Sequence, residues 1–204
     1  VSENTFSKIR GGLVVGVLAV LAWSAVAPFD RTTWYMEAAP VFIALPLLLA
    51  THRRFPLTPL LASLIALHAA VLLIGAHYTY AEVPLFSWLR DAYGLGRNHY
   101  DRVGHFMQGF VPAIVIRELL LRTSPLRTGK WLFAIVVFSC LGFSALYELS
   151  EWLAAVVMGS AADAFLGTQG DVWDTQWDMF LAGVGAVVSL LALSRLHDRQ
   201  LKKI

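Results

Sequence analysis

Six apolar stretches set the pattern of the chain, at roughly residues 13–28, 36–50, 57–76, 103–121, 131–152 and 178–196. Polar links separate them. A helix that crosses a hydrocarbon core needs about 20 residues. The first two stretches fall short of that and are extended by interfacial residues, such as Trp34 and Tyr35 ahead of the second. Pro40 and Pro46 predict a kinked second helix rather than a missing one, because membrane helices tolerate proline. The fifth stretch runs on through Glu148 and Glu151. The pattern predicts an all-α polytopic membrane protein with six transmembrane helices in one bundle, a single transmembrane domain over residues 1–204. No repeat, low-complexity tract or linker interrupts it.

The start of the chain has a second reading. Lys8 and Arg10 before the apolar run 13–27 resemble the opening of a signal peptide, and Ala25-Val26-Ala27 resembles a cleavage site. The apolar stretches that follow are just as long, so an uncleaved first span is the expectation.

Composition agrees with a bilayer solvent. Of the residues 57% are hydrophobic and 15% charged, against about a quarter charged in soluble domains. Charges in hydrocarbon are costly. The formal net charge of +2 gives no reason to expect nucleic acid as a partner. The one cysteine, Cys140, lies inside an apolar run. It excludes an intramolecular disulfide or a zinc-thiolate framework and reads as packing.

The distribution of charge adds a direction. Lys8, Arg10, Arg53, Arg54, Arg117, Arg122, Arg127, Lys130, Arg195, Arg199, Lys202 and Lys203 fall on one side of a six-span arrangement. Arg31, Arg90, Arg97 and Arg102 fall on the other. The positive-inside rule then puts both termini in the cytoplasm, for a bacterial inner membrane. Of the 14 acids, only Glu3, Glu118 and Asp198 fall on the inner side. Acids have little part in setting topology, so their concentration at the outer side points toward function. The outer links, 77–102 and 158–177, are long and carry Trp88, Tyr93, Tyr100, Trp173 and Trp177, residues suited to an interface.

Three polar constellations carry candidate chemistry. In His99-Tyr100-Asp101-Arg102-Val103-Gly104-His105, the residues Asp101 and His105 are four apart and share a helix face, with Gln108 a turn further on. That spacing lets a carboxylate and an imidazole ligate one metal, or lets the carboxylate orient the ring. The plain alternative is a capping aspartate and a hydrogen-bonded histidine. Glu148 and Glu151 also share a face, and two carboxylates so close need a cation, a shared proton, an arginine partner or open water. Asp171, Asp174 and Asp178 form one helical stripe. Acids at a helix start complement its dipole, which accounts for Asp171 and Asp174 better than for Asp178. Zn²⁺ accepts histidine with carboxylate, while Mg²⁺ and Mn²⁺ prefer oxygen.

Around these lie Glu37, His77, Tyr80, Glu82, Arg97 and His99, outer residues that are individually ordinary loop positions. His68 reads as a hydrogen-bonding group within the third span, and His52 and His197 as solvated inner residues. The Gly183–Gly185 segment reads as close helix packing.

Several runs resemble the YjdF family of inner-membrane proteins. They are Ala39-Pro40-Val41, Thr51-His52-Arg53-Arg54-Phe55-Pro56, His77-Tyr78-Thr79-Tyr80-Ala81-Glu82-Val83-Pro84, Arg97-Asn98-His99-Tyr100-Asp101, Tyr147-Glu148-Leu149-Ser150-Glu151-Trp152 and the stretch 167–179. The resemblance implies an inner-membrane location and no particular reaction. Asp101-Arg102-Val103-Gly104-His105-Phe106 is also distantly similar to the Asp-Lys-x-x-His-Phe pattern of VanZ-like membrane proteins, with Arg in place of Lys. Asp178 stands where those proteins have Asn.

The expectation is a polar pocket facing the periplasm, in a metal-dependent membrane enzyme. Its metal ligands would be Asp101, His105, Glu148, Asp171, Asp174 and Asp178, holding Zn, Mn or Mg. Catalytic work would fall to Glu148, Glu151, His105 and Arg102, and substrate contact to His77, Tyr80, Glu82, Arg97 and His99. The partners expected are membrane lipids and a lipid or lipid-linked envelope substrate acted on by hydrolysis or transfer. An ion- or proton-coupled binding or transport protein is the alternative, with a structural membrane subunit third.

Overall fold

The computed structural model describes residues 3–159 and 163–204. Residues 160–162 of the second long outer link, and the side chains of Glu3 and Lys8 that enter the charge pattern, lie outside the described residues. The described chain is helical and divides into two compact units, Val1–Tyr100 with Ile204, and Asp101–Lys203.

The first unit is built on α1 (Glu3–Ser24), α2 (Arg31–Thr51) and α3 (Pro59–Tyr78). The sequence marks the starts of α2 and α3. Asp30 accepts a hydrogen bond from the Thr33 amide at 2.7 Å to cap α2. Thr58 caps α3, with Pro59 in its first turn. Polar Arg31–Tyr35 is helical, which is why the short second apolar stretch becomes a full-length helix despite Pro40 and Pro46. Val17, Trp34, Ala38, Val41, Ala69, Leu73 and Ala76 form its core, and Trp34 Nε1 donates to Ser24 Oγ at 3.2 Å. After α3 the backbone turns at Thr79 (φ 52°) into a short 3-10 turn, Tyr80–Glu82. A helix not expected from the sequence follows, α4 (Pro84–Tyr93), closed by left-handed Gly94. Asn98 Oδ1 accepts the Tyr100 amide at 3.0 Å, so Asn98 rather than Asp101 meets the first amide of the next helix.

The second unit contains α5 (Tyr100–Thr123, from Asp101 onward), α6 (Lys130–Met158), the single turn α7 (Asp163–Leu166) and α8 (Asp174–Leu201). Its apolar core is Ala113, Leu132, Val136, Cys140, Ala186 and Leu190, so Cys140 is packing, as expected. Helices α5 and α8 touch backbone to backbone. A Cβ on Gly109 would run into the Ala182 carbonyl, and one on Gly185 into the Phe106 carbonyl. Gly183 faces Leu141 of α6. Glycine is used here because small residues let membrane helices approach closely.

Among the described residues, four helices are long and apolar enough to cross a membrane: α2, α3, α6 and α8. Only 28% of each apolar window is buried, while Ile43, Leu67, Phe138, Val157 and Leu191 stand exposed. That inversion suits lipid rather than water as the outer solvent. Two of the six expected spans are weaker by this measure. The apolar part of α1 is the shorter Ile9–Ser24. Helix α5 carries Asp101, Arg102, Arg117, Glu118 and Arg122 along its length.

Two histidines, His197 and His68, differ from their sequence readings. His197 is fully buried, not solvated. Its Nε2 donates to Glu118 Oε2 at 2.9 Å, and its Nδ1 accepts from Arg117 at 2.8 Å. Arg117 also binds Asp198 at 2.6 Å, and Arg122 binds Glu118 Oε1 at 2.8 Å. The late residues of α5 and α8 thus form a closed clasp. Burying a charge is costly unless it is paired, and each of these groups is paired. His52 is exposed, as its sequence reading has it. His68 is half-buried, and its Nε2 has no hydrogen-bond partner in the structure.

Candidate functional site

The acids that the sequence spreads over three segments meet at one end of the second unit. Asp101, Arg102 and His105 come from the first turns of α5, Glu148 from late α6, Asp171 from the turn before α8, and Asp174 and Asp178 from the first turns of α8. The i, i+4 spacing of Asp101 and His105, and of Asp174 and Asp178, aims each pair along one face. Asp171 is placed by its own turn: its Oδ1 accepts the Trp173 amide at 2.9 Å.

Arg102 organises the stripe. Its guanidinium pairs with Asp171 at 2.9 Å and Asp174 at 2.7 Å, makes a short bond to Asp178, and lies 3.6 Å from Asp101. The three aspartates predicted to form one stripe therefore do share a cation, and that cation is first of all an arginine. A guanidinium offers five donors in a fixed fork, which suits three carboxylates approaching from one helix start.

His105 lies deeper, 6% exposed. Its Nε2 is 3.3 Å from Asp101 Oδ1 and 3.8 Å from Asp178 Oδ2. Its Nδ1 is 3.0 Å from Gln108 Oε1 and 3.7 Å from Glu148 Oε1. Tyr147 meets the ring edge-on at 6.1 Å, and Phe165 of α7 packs on Tyr147. Glu148 is buried, and its Oε1 has no hydrogen-bond partner.

The charges here do not balance. Five carboxylates converge on one arginine and one histidine. In the tautomer in which Nδ1 donates to Gln108 Oε1, Nε2 is left without a proton. The lone pair of Nε2 then points toward two carboxylates that also only accept. That arrangement is repulsive unless a second proton or a metal ion lies between them. Asp101, His105 and Asp178 each offer a ligand atom, all within 4.8 Å of one another. In a tetrahedral zinc site with bonds of 2.0–2.1 Å, neighbouring ligand atoms are about 3.3 Å apart. The Asp101–His105 edge matches that spacing, and the edge to Asp178 is slightly long.

The other expected site residues are placed as follows. Glu151 is half-buried on α6, three residues after Glu148. His77, Tyr80, Glu82, Arg97 and His99 all belong to the first unit. His77 Nδ1 lies 3.1 Å from the Ser24 carbonyl, and its ring is 4.4 Å from that of Trp23. Tyr80 lies over Gly75 and 5.5 Å from the Tyr100 ring. Glu82 is exposed, His99 half-buried and Arg97 buried. Two features escaped the sequence reading. Gln108 was visible one turn from His105, but its role depends on a side-chain direction. The Arg117–His197–Glu118 clasp joins residues about 80 positions apart, and only the Glu118–Arg122 spacing was legible beforehand.

Helices with lipid-suited exteriors and a buried carboxylate–histidine cluster define the class: an integral membrane protein with a polar site inside one helical unit. The comparisons narrow this. Residues 9–199 match the family described as "Predicted membrane protein (DUF2238)", and the chain belongs to that family. "Inner membrane protein YjdF" of Escherichia coli (strain K12) is 51% identical over 184 residues, covering 90% of this chain and 88% of that relative. No solved structure matches.

Proposed function

We propose that this is a metal-dependent enzyme of the bacterial inner membrane, acting on a lipid or lipid-linked envelope substrate by hydrolysis or transfer. The observation that carries the reading is the His105 environment: with Nδ1 bound to Gln108, its Nε2 faces Asp101 and Asp178. A divalent ion resolves that contact without a buried imidazolium. Asp101, His105 and Asp178 are its core ligands, with Glu148 beside them as general base. Asp171 and Asp174 hold Arg102, and through it the stripe, rather than coordinating directly. Such an ion supplies an activated water and polarises an ester or phosphoryl oxygen. The VanZ-like pattern at Asp101–Phe106 belongs to this proposal. So do a six-span arrangement with both termini inside, which the basic residues favour, and an opening of the site to the periplasm.

Transport is the alternative, and the second unit speaks against it. The apolar cluster of Ala113, Leu132, Val136, Cys140, Ala186 and Leu190 comes, along α5 and α8, between the acidic site and the Arg117–His197 clasp. An apolar cluster of this kind raises the cost of moving an ion through the unit.

The test is metal content. Protein purified without added metal, then exposed in turn to Zn²⁺, Mn²⁺ and Mg²⁺, is expected to hold about one ion per chain, an order-of-magnitude expectation for a single site. Asp101→Ala and Asp178→Ala variants should hold far less. A parent protein that retains none of the three sinks the metal reading. Reporter fusions in the 77–102 and 158–177 links test sidedness, and a cytoplasmic signal at either would overturn the orientation.

A further inference from the structure

Helix α4 (Pro84–Tyr93) is amphipathic in the inverted sense. Its face toward the first unit is fastened by a polar contact. Asn98 Nδ2 donates to Ser87 Oγ and to the Val83 carbonyl, both at 3.0 Å. Phe86, one residue away, sits edge-on to Tyr100 at 5.3 Å. At 3.6 residues per turn, Leu85, Trp88 and Ala92 share the opposite face. Leu85 and Trp88 are each 61% exposed, and Ala92 is exposed with them. Tyr93 and Leu95 continue the exposed apolar surface past the helix end. No residue of α4 is buried.

A surface helix of a water-soluble domain turns its apolar stripe inward and its polar face outward. Here the outward stripe is the apolar one. We infer that α4 is a membrane-interface helix: it lies along the bilayer surface, with Leu85, Trp88 and Ala92 seated at the boundary between headgroups and acyl chains. Two observations choose lipid as the occupant. First, α4 begins six residues after the end of α3, a helix apolar enough to cross the membrane, so the exposed stripe continues a lipid-suited exterior. Second, the outward residues include Trp88 and Tyr93, whose amphipathic rings favour the headgroup level. A second protein copy is a poor fit. One stripe on a ten-residue helix is far smaller than the about 800 Å² per partner of a stable interface. Arg90 and Asp91 pair with each other at 2.9 Å and cancel in charge. The contact is therefore expected to depend on burial of apolar surface and not on anionic lipid.

The experiment uses the full chain with Cys140→Ala as background. Single cysteines at Leu85, Trp88, Ala92 and Asp91 carry a nitroxide label in vesicles of phosphatidylcholine, with and without phosphatidylglycerol. Labels at 85, 88 and 92 should be accessible to oxygen and protected from an aqueous nickel chelate, with the label at 91 the reverse. Adding phosphatidylglycerol should change neither. Equal aqueous access at all four positions overturns the proposal. So does protection from both reagents, or spin–spin broadening that grows with protein concentration, since either would mean a protein partner. Trp88→Phe, which keeps an aromatic ring in place and carries no label, gives a second reading. The parent should lose more tryptophan fluorescence in brominated lipid than this variant, and equal losses would also overturn the assignment.

Discussion

Nδ1 of His105 lies 3.0 Å from Oε1 of Gln108, one turn along α5. That bond leaves Nε2 to face Asp101 and Asp178. A partner on the far nitrogen of a metal-binding histidine typically changes affinity by about 10–100-fold. Gln108→Leu is therefore expected to weaken divalent-ion binding by about that factor, whereas Gln108→Glu retains it. Titration of the purified variants with Zn²⁺ or Mn²⁺ measures both. Equal affinities across the series would remove Gln108 from the site.

Arg102 holds Asp171, Asp174 and Asp178 together. Arg102→Met leaves these carboxylates without their cation, and breaking a buried pair from one side costs about 3–5 kcal/mol. The melting temperature should fall, and millimolar divalent cation should restore part of the loss. A variant as stable as the parent would show that the stripe needs no counter-charge.

The clasp at the far ends of α5 and α8 makes a separate stability prediction. Glu118→Ala removes the buried acceptor that His197 Nε2 and Arg122 share. A loss of about 3–5 kcal/mol is expected, with metal binding at the distant carboxylates retained. Unfolding followed by intrinsic fluorescence, alongside metal titration, separates the two readouts.

Gly185 and Gly142 offer a matched pair within helices. Gly185→Ala drives a Cβ into the backbone of Phe106, which has no flexible end to yield. Overpacking of this kind costs about 1–3 kcal/mol. Gly142→Ala meets nothing within 4 Å and should be neutral or gain about 0.5–1 kcal/mol from helix propensity. The thermal midpoint should fall for Gly185→Ala and hold or rise for Gly142→Ala.

Asp30 gives the pH-dependent prediction. The Thr33 amide, donating to its carboxylate, holds the Asp30 pKa below the ordinary value. A carboxyl whose folded pKa is lowered contributes stability that is present above the unfolded pKa and lost as pH falls through the folded one. Asp30→Ala should cost about 1 kcal/mol at neutral pH. The difference from the parent should vanish in acid, below the carboxylate range. Melting temperatures across pH test this, and a difference that persists in acid would mean that Asp30 acts by packing instead.

Helix positions were largely legible in the sequence because each depends on local composition. Apolar runs, the Asp30 and Thr58 caps and the prolines act within a turn or two of themselves. The candidate ligands were legible for a related reason: acids beside apolar runs are costly enough to stand out, and spacing of three or four residues puts them on one face. What acts at long range was hidden. Arg102 reads as a catalytic residue in sequence, and only the fold brings three aspartates onto it. His197 reads as solvated because it sits near a basic terminus, yet α5 covers it with Arg117 and Glu118. Helix α4 was read as link because its polar and apolar residues alternate over too short a run to reveal which face would turn outward. Local chemistry alone determined that this chain is a set of lipid-suited helices with acids near their ends. Tertiary structure decided which acids meet, which cation they meet and which histidine is dry, because side-chain direction and burial depend on what packs against each helix.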